Sequence, residues 1–366
     1  MNRDASILFT SFDLSGQQLR NRIVMAPLTR NRAIHGNDAP QALNAQYYAQ
    51  RASAGLIISE ATQISPTAKG YAWTPGIYSQ EQIAGWKLVT AAVHARGGTI
   101  FAQLWHVGRI SHPDLQPSNV APVAPSALTP VGQKTFIENG TFSDIGQPRA
   151  LRLEEIPLII KDYRKAAKNA IEAGFDGVEI HAANGYLIQQ FLSDGANQRT
   201  DAYGGSISNR LRFALEVVEV ITAEIGGARV GIRLSPIGHI NGISESAPKN
   251  VYFRLVRELN QFALAYIHVI EGASQGPREF DGFDFRALRK EFNGAWIVNN
   301  NYTYELAREA VASGYADLVA FGRPYIANPD LVARFKKNAL LNEMDRSTLY
   351  GGTEKGYIDY PTLEDL

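Results

Sequence analysis

Cysteine is absent from the 366 residues, which removes disulfides, thiolate nucleophiles, Cys-ligated zinc and iron-sulfur clusters together. Any chemistry must come from oxygen and nitrogen side chains or from a bound cofactor. An excess of charge is also missing. Lys plus Arg number 36 and Asp plus Glu 36, so no net field draws in nucleic acid or an acidic membrane. No stretch approaches the roughly 18 consecutive apolar residues of a membrane span, and Ile7, Leu8 and Phe9 form too short a run for a signal segment. A cytoplasmic protein without nucleic-acid or membrane partners is expected. With 45% apolar and 20% charged residues the chain can bury a large core, which excludes disordered and fibrous classes.

What is present is a rhythm. After a hairpin candidate turning at Gly16, short apolar runs alternate with helical patterns. The strands are expected at 22–25, 56–59, 99–104, 177–180, 230–234, 266–270, 296–299 and 318–321. Helical stretches at 154–173, 209–225, 249–261 and 304–313 lie between them. Strict alternation of eight strands with helices predicts an α/β fold of one domain, residues 1–366, closed as a (β/α)8 barrel. An open doubly wound sheet is the competitor, disfavoured because no G-x-G-x-x-G follows any strand. Between 111 and 148 the rhythm lapses, with Pro113, Pro117, Pro122, Pro125 and Pro130 close together. A linker is one reading. A long excursion after strand three, built as a lid, is preferred because the alternation resumes in register.

In such a barrel function sits at the C-terminal strand ends. No lysine stands there, which argues against a Schiff-base aldolase. No acidic trio does, which argues against an enolase-type magnesium site, and no metal is expected. Gly322 and Arg323 after strand eight suit a phosphate, the first through backbone N–H groups and the second through its guanidinium. Arg233, Gln103 and Thr29 together suit the edge of a planar heterocycle with alternating donors and acceptors. The alternatives are a surface Arg323, a core Gln103, and an Arg233 salt-bridged to Glu60. His181 and Asn184, three apart past strand four, can converge two N–H donors on an oxygen that gains negative charge. Tyr186 is a candidate proton donor, or else an aromatic packed on the rim.

These residues fall in segments that resemble the old yellow enzyme family of flavin-dependent ene-reductases over nearly the whole chain. The segments are NRIVMAPLTR at 21–30, QLWHVGR at 103–109, the stretch 181–209 with RTDAYGGS at 199–206, FGRP at 321–324 and GYIDYP at 356–361. The resemblance implies non-covalent FMN over the barrel mouth, with Pro27, Thr29, Ala61, Gln103 and Arg233 around the ring system and Asn300, Asn301, Gly322 and Arg323 at the phosphate. It implies that His181 and Asn184 bind the substrate oxygen, that Tyr186 protonates the α-carbon, and that Tyr78, Trp105 and Tyr350 line the pocket. It further implies NADPH or NADH as hydride donor, ping-pong reduction of enones, nitroalkenes and maleimides, phenolic inhibitors, and a monomer or homodimer. Two departures stand out. Asn299, Asn300 and Asn301 occupy a turn where relatives carry glycine, and Gln189 stands where an Asp is usual. Rival functions are a barrel glycoside hydrolase using Glu60 and Glu271 as its two carboxylates, or a flavin-binding protein without significant catalysis.

Overall fold

The computed structural model describes residues 6–273, 276–278 and 282–365. Eight parallel strands close into a barrel in chain order: Ile23–Met25, Leu56–Ile58, Ile100–Trp105, Gly177–Ala182, Val230–Leu234, Tyr266–Ile270, Ala295–Asn299 and Leu318–Phe321. Strand eight pairs with strand one, and strand three pairs with strand four, so no edge remains. The (β/α)8 expectation therefore holds.

Side-chain alternation sorts the barrel into two cores. Ile23, Met25, Val178, Ile180, Ile232, Val269 and Val298 face outward into the layer of helices. Val24, Leu56, Ile58, Phe101, Tyr266, Ile297 and Leu318 face inward and fill the lower barrel. Leu14 and Leu19 of the N-terminal hairpin plug that end. The hairpin turns through Ser15 at φ 53° and Gly16 at φ 95°, both left-handed as a two-residue turn of this twist requires. Burying each such leucine stabilises by about 2 kcal/mol.

The outer helices follow from apolar stripes. Helix Ile156–Glu172 buries Ile156, Ile159, Ile160, Tyr163 and Ala167 at helical spacing, with Pro157 in its first turn where no N–H is needed. Helix Ile207–Ile225 begins at Ser206, whose side chain accepts from Asn209 N–H, and ends at Gly226. The proline-rich segment is a folded excursion rather than a linker. It holds a hairpin, Lys134–Phe136 with Phe142–Asp144, and a short parallel pair, Val123–Ala124 with Arg149–Ala150. Lys69 anchors it through Asp38 on the barrel side and Glu138 on the hairpin.

Candidate active site

The inward alternation that fills the lower barrel with apolar groups changes character toward the C-terminal ends. Gln103, Glu179, His181, Arg233 and His268 all lie on inner faces there, and register pairs Gln103 with Glu179, His181 with Arg233, and Arg233 with His268. Above them opens a cavity of about 1020 Å³, of the size that holds a cofactor or drug-sized ligand. Pro27, Thr29, Asn184, Arg233, Asn300, Asn301, Gly322, Arg323 and Tyr350 line it.

Strand four carries the candidate residue His181 and leads directly into the other two, Asn184 and Tyr186. His181 is 3% exposed, and its Nδ1 accepts the Ala183 N–H at 3.3 Å, which leaves the proton on Nε2. Burial, with Arg233 and His268 adding to it, holds the imidazole well below its ordinary pKa, so it is a neutral donor. Asn184 takes a left-handed φ of 56°. That conformation is held from both sides: its N–H donates to Ser235 Oγ at 2.9 Å and its carbonyl accepts from Asn241 Nδ2 at 2.8 Å. Tyr186 lies against Trp105 and His181, ring centres 5.0 Å away in each case and edge-on. Its hydroxyl is 3.2 Å from that of Tyr71, and the nearby Asn241 side chain works against the effect of burial on its pKa. Burial raises its pKa, so the phenol keeps its proton.

Gln189 fits its place. Its Oε1 accepts from Gly185 N–H at 2.8 Å and from Ser235 Oγ at 3.0 Å, while its Nε2 donates to Ser235 O and to the Tyr252 hydroxyl. An Asp there accepts but cannot donate. The glutamine therefore braces the loop carrying Asn184 and Tyr186 against strand five.

Arg233 departs from the Glu60 pairing considered above. Its Nη2 donates to Asn299 Oδ1 at 2.9 Å, and the carboxylate that balances it is Glu179. Glu60 is instead held by the Tyr48 hydroxyl and the Arg30 N–H. Glu271 accepts from Tyr302 and Tyr315 beside a second cavity. Each carboxylate of the glycoside-hydrolase reading is thus engaged with its own tyrosines.

In the turn after strand seven, Asn300 and Asn301 take left-handed conformations, φ 102° and 52°. Their side chains donate into the loop after strand six, Asn300 to Glu271 O and Ala273 O, Asn301 to Gly276 O. Arg323 Nη2 donates to Asn301 Oδ1 and the residue is exposed to the cavity mouth.

Of the expected pocket residues, Asn184 and Tyr350 line this cavity, Ala61, Gln103, Trp105, His181 and Tyr186 are not among its lining residues, and Tyr78 lies elsewhere. Tyr78 is half-buried at the start of helix Gln80–His94, its N–H bonded to Gln82 Oε1, near Asp38 and Lys69 and outside the residues lining the cavity. Tyr71 is the tyrosine beside Tyr186, stacked on Trp105 at 5.7 Å and bonded to the Tyr186 hydroxyl. Ala61 and Trp105 pack in the same cluster with Tyr71 and Tyr186. Sequence reasoning also missed Ser235 and Asn241. The first signal for Ser235 is that it follows a strand end; nothing local marks Asn241.

The donor set fits FMN. Arg233 Nε and Trp105 Nε1 are buried without a partner among the described residues, a cost that a polar ligand relieves. Gln103 and Arg233 can meet the pyrimidine edge, and the Asn301 and Arg323 pair can meet a phosphate.

Comparison with known proteins agrees. Residues 7–342 match the model of the NADH:flavin oxidoreductase / NADH oxidase family. The chain is 47% identical to 12-oxophytodienoate reductase 1 of Oryza sativa subsp. japonica over 365 residues, covering 98% of this chain and 94% of that protein. The structure of morphinone reductase in complex with tetrahydroNAD superposes with a TM-score of 0.93 at 51% identity, covering 97% of both chains. The old yellow enzyme homologue from Zymomonas mobilis superposes with a TM-score of 0.93 at 45% identity, covering 97% of this chain and 99% of that one.

Proposed function

The chain belongs to the NADH:flavin oxidoreductase / NADH oxidase family, and from this we propose how its residues divide the work of an FMN-dependent ene-reductase. When bound, FMN supplies a two-electron carrier between a reduced nicotinamide and an activated C=C bond. The rest is the task of the chain. Pro27, Thr29, Ala61, Gln103 and Arg233 hold the ring system, and Asn300, Asn301, Gly322 and Arg323 hold the phosphate. Arg233 places a buried positive charge where the reduced ring carries negative charge.

His181 Nε2–H and the Asn184 side chain bind the carbonyl or nitro oxygen of the substrate and polarise it. Tyr186 then gives its proton to the α-carbon, with Tyr71 holding the hydroxyl in place. Trp105, Tyr71 and Tyr350 line the substrate space. No second nucleotide site is part of this reading, so donor and acceptor share one face in turn and turnover is ping-pong. Enones, nitroalkenes and maleimides are the substrate classes, phenols the inhibitors, and NADPH or NADH the hydride donor. Residues 1–366 act as one domain, as a cytoplasmic monomer or homodimer. No helix among the described residues is long and apolar enough to cross a membrane.

The observation that carries the reading is that the His181 and Tyr186 rings stand edge to face, centres 5.0 Å apart, flanking Asn184, which lines the same cavity as Arg233 and Arg323. The test is anaerobic: NADPH or NADH should bleach the yellow protein, and enones, nitroalkenes and maleimides should restore the colour. A protein that NADPH and NADH both fail to bleach would leave only flavin binding, and one that bleaches but is reoxidised by no member of the panel would overturn the ene-reductase reading.

A further inference from the structure

Beneath the cavity lies a buried carboxylate for which the proposed reaction has no use. Glu179 is 0% exposed. Its Oε1 accepts from Gln103 Nε2 at 2.7 Å, and its Oε2 accepts from His268 Nδ1 at 2.8 Å. Gln103 and His268 are buried equally deeply, and the ring of Tyr266 and the guanidinium of Arg233 are the other polar groups around it. Burial pushes Glu179 toward its neutral form, but His268, Arg233 and the Gln103 bond outweigh it and hold the carboxyl below its usual range. Burial likewise lowers the His268 pKa, so that ring is neutral and Arg233 is the positive partner of Glu179. A negative charge here opposes the formation of negative charge in the cavity above. Its presence therefore calls for a role.

We propose that Glu179 is a positioning residue for the cofactor, fixing which end of the Gln103 amide faces the ring and offsetting Arg233 so that flavin reduction stays moderate. The first part follows from valence. An ionised carboxylate only accepts, so the Gln103 nitrogen must face Glu179, and its Oε1 together with the second N–H is left for the ligand. An amide free to flip would present the reverse pattern half of the time. The second part follows from charge. An unbalanced guanidinium at this depth is costly, and it would also favour the reduced, anionic ring more strongly than the Arg233 and Glu179 pair does.

The inference rests on the FMN reading above, and the experiment separates the two. Glu179→Gln keeps the shape and removes the charge. In the FMN-loaded protein it should raise the two-electron reduction potential by about 30 mV or more, a tenfold shift of the equilibrium. FMN affinity, read by titrating apoprotein, should fall. Glu179→Asp keeps the charge but shortens the reach, so its potential should stay near that of the parent while its FMN affinity falls. Should Glu179→Gln fail to fold, Glu179→Ser, small enough to admit water beside Arg233 and His268, removes the same charge, and the same rise is expected. A flavin-loaded variant without Glu179 whose potential matches the parent overturns the inference. Recovery of parent protein that binds no FMN overturns the cofactor reading instead.

Discussion

Asn300 donates its side-chain amide to the carbonyl of Glu271 at 2.6 Å, tying the turn after strand seven to the loop after strand six. The same amide reaches Ala273 O at 3.1 Å. The Asn300 side chain thus does more than tolerate a φ of 102°; it couples the turn after strand seven to the loop after strand six.

Asn300→Gly should keep the backbone conformation, so FMN affinity should stay within a few-fold of the parent. It loses the tether, so amide exchange at Ala273 and Gly276 should speed up. Asn300→Val should weaken FMN by about tenfold, because a β-branched residue resists a positive φ at a cost of roughly 1–2 kcal/mol. Apoprotein titration and hydrogen exchange measure both. Tight binding by the valine variant would show that the turn does not depend on a left-handed residue.

Arg323→Ala should weaken FMN more than either, by about 1.5–3 kcal/mol, since a charge-assisted bond to phosphate is lost. Among the described residues, Asn301 Oδ1 is the one hydrogen-bond acceptor of the guanidinium. Parent-like affinity in the same titration would place the phosphate elsewhere.

Tyr186→Phe should slow reoxidation by enones roughly a hundredfold or more, the usual range for a lost proton donor, and leave reduction by NADPH nearly unchanged. Stopped-flow traces of the two half-reactions decide it. Equal slowing of both would mean that the ring packs against Trp105 and His181 without donating.

His181→Ala with Asn184→Ala should cost phenol binding several kcal/mol in a protein that still holds flavin. The imidazole is neutral at Nδ1 and donates from Nε2, so this loss should not depend on pH across the ordinary histidine range. Unchanged phenol affinity in the flavin-loaded double variant would unseat the donor pair.

Glu60 links stability to pH. Burial pushes its carboxyl up to about 7, against the opposing Arg30 N–H, Arg30 charge and Tyr48 hydroxyl. Unfolded, it titrates near 4.5. The folded form binds more protons between those values, so this group makes stability fall as pH rises from about 4.5 to about 7. Glu60→Gln should remove that fall, a gain of up to roughly 3 kcal/mol above neutrality. Urea unfolding of both proteins near pH 5 and near pH 8 is the measurement. The same pH slope in both would assign it to another group.

Much of this was written in local pattern. The runs 230–234, 266–270 and 318–321 emerge as strands with those bounds, and the others lie within two residues of expectation. The strand ends at Arg233, His181 and Gly322 were legible because a closed parallel barrel sends all C-terminal ends to one rim. The FMN family was legible because its segments are contiguous.

Alternation along the chain determined the barrel, since side-chain period and strand spacing are local properties that survive in any context. Only the tertiary structure decided who meets whom across the rim. Tyr71 rather than Tyr78 stands beside Tyr186, 115 residues away in sequence, and Asn241 reaches back 57 residues to Asn184. Gln103 finds Glu179 across 76 residues and Glu179 finds His268 across 89. Such pairs depend on the register and closure of the barrel and on the path of long loops, and a linear pattern carries neither.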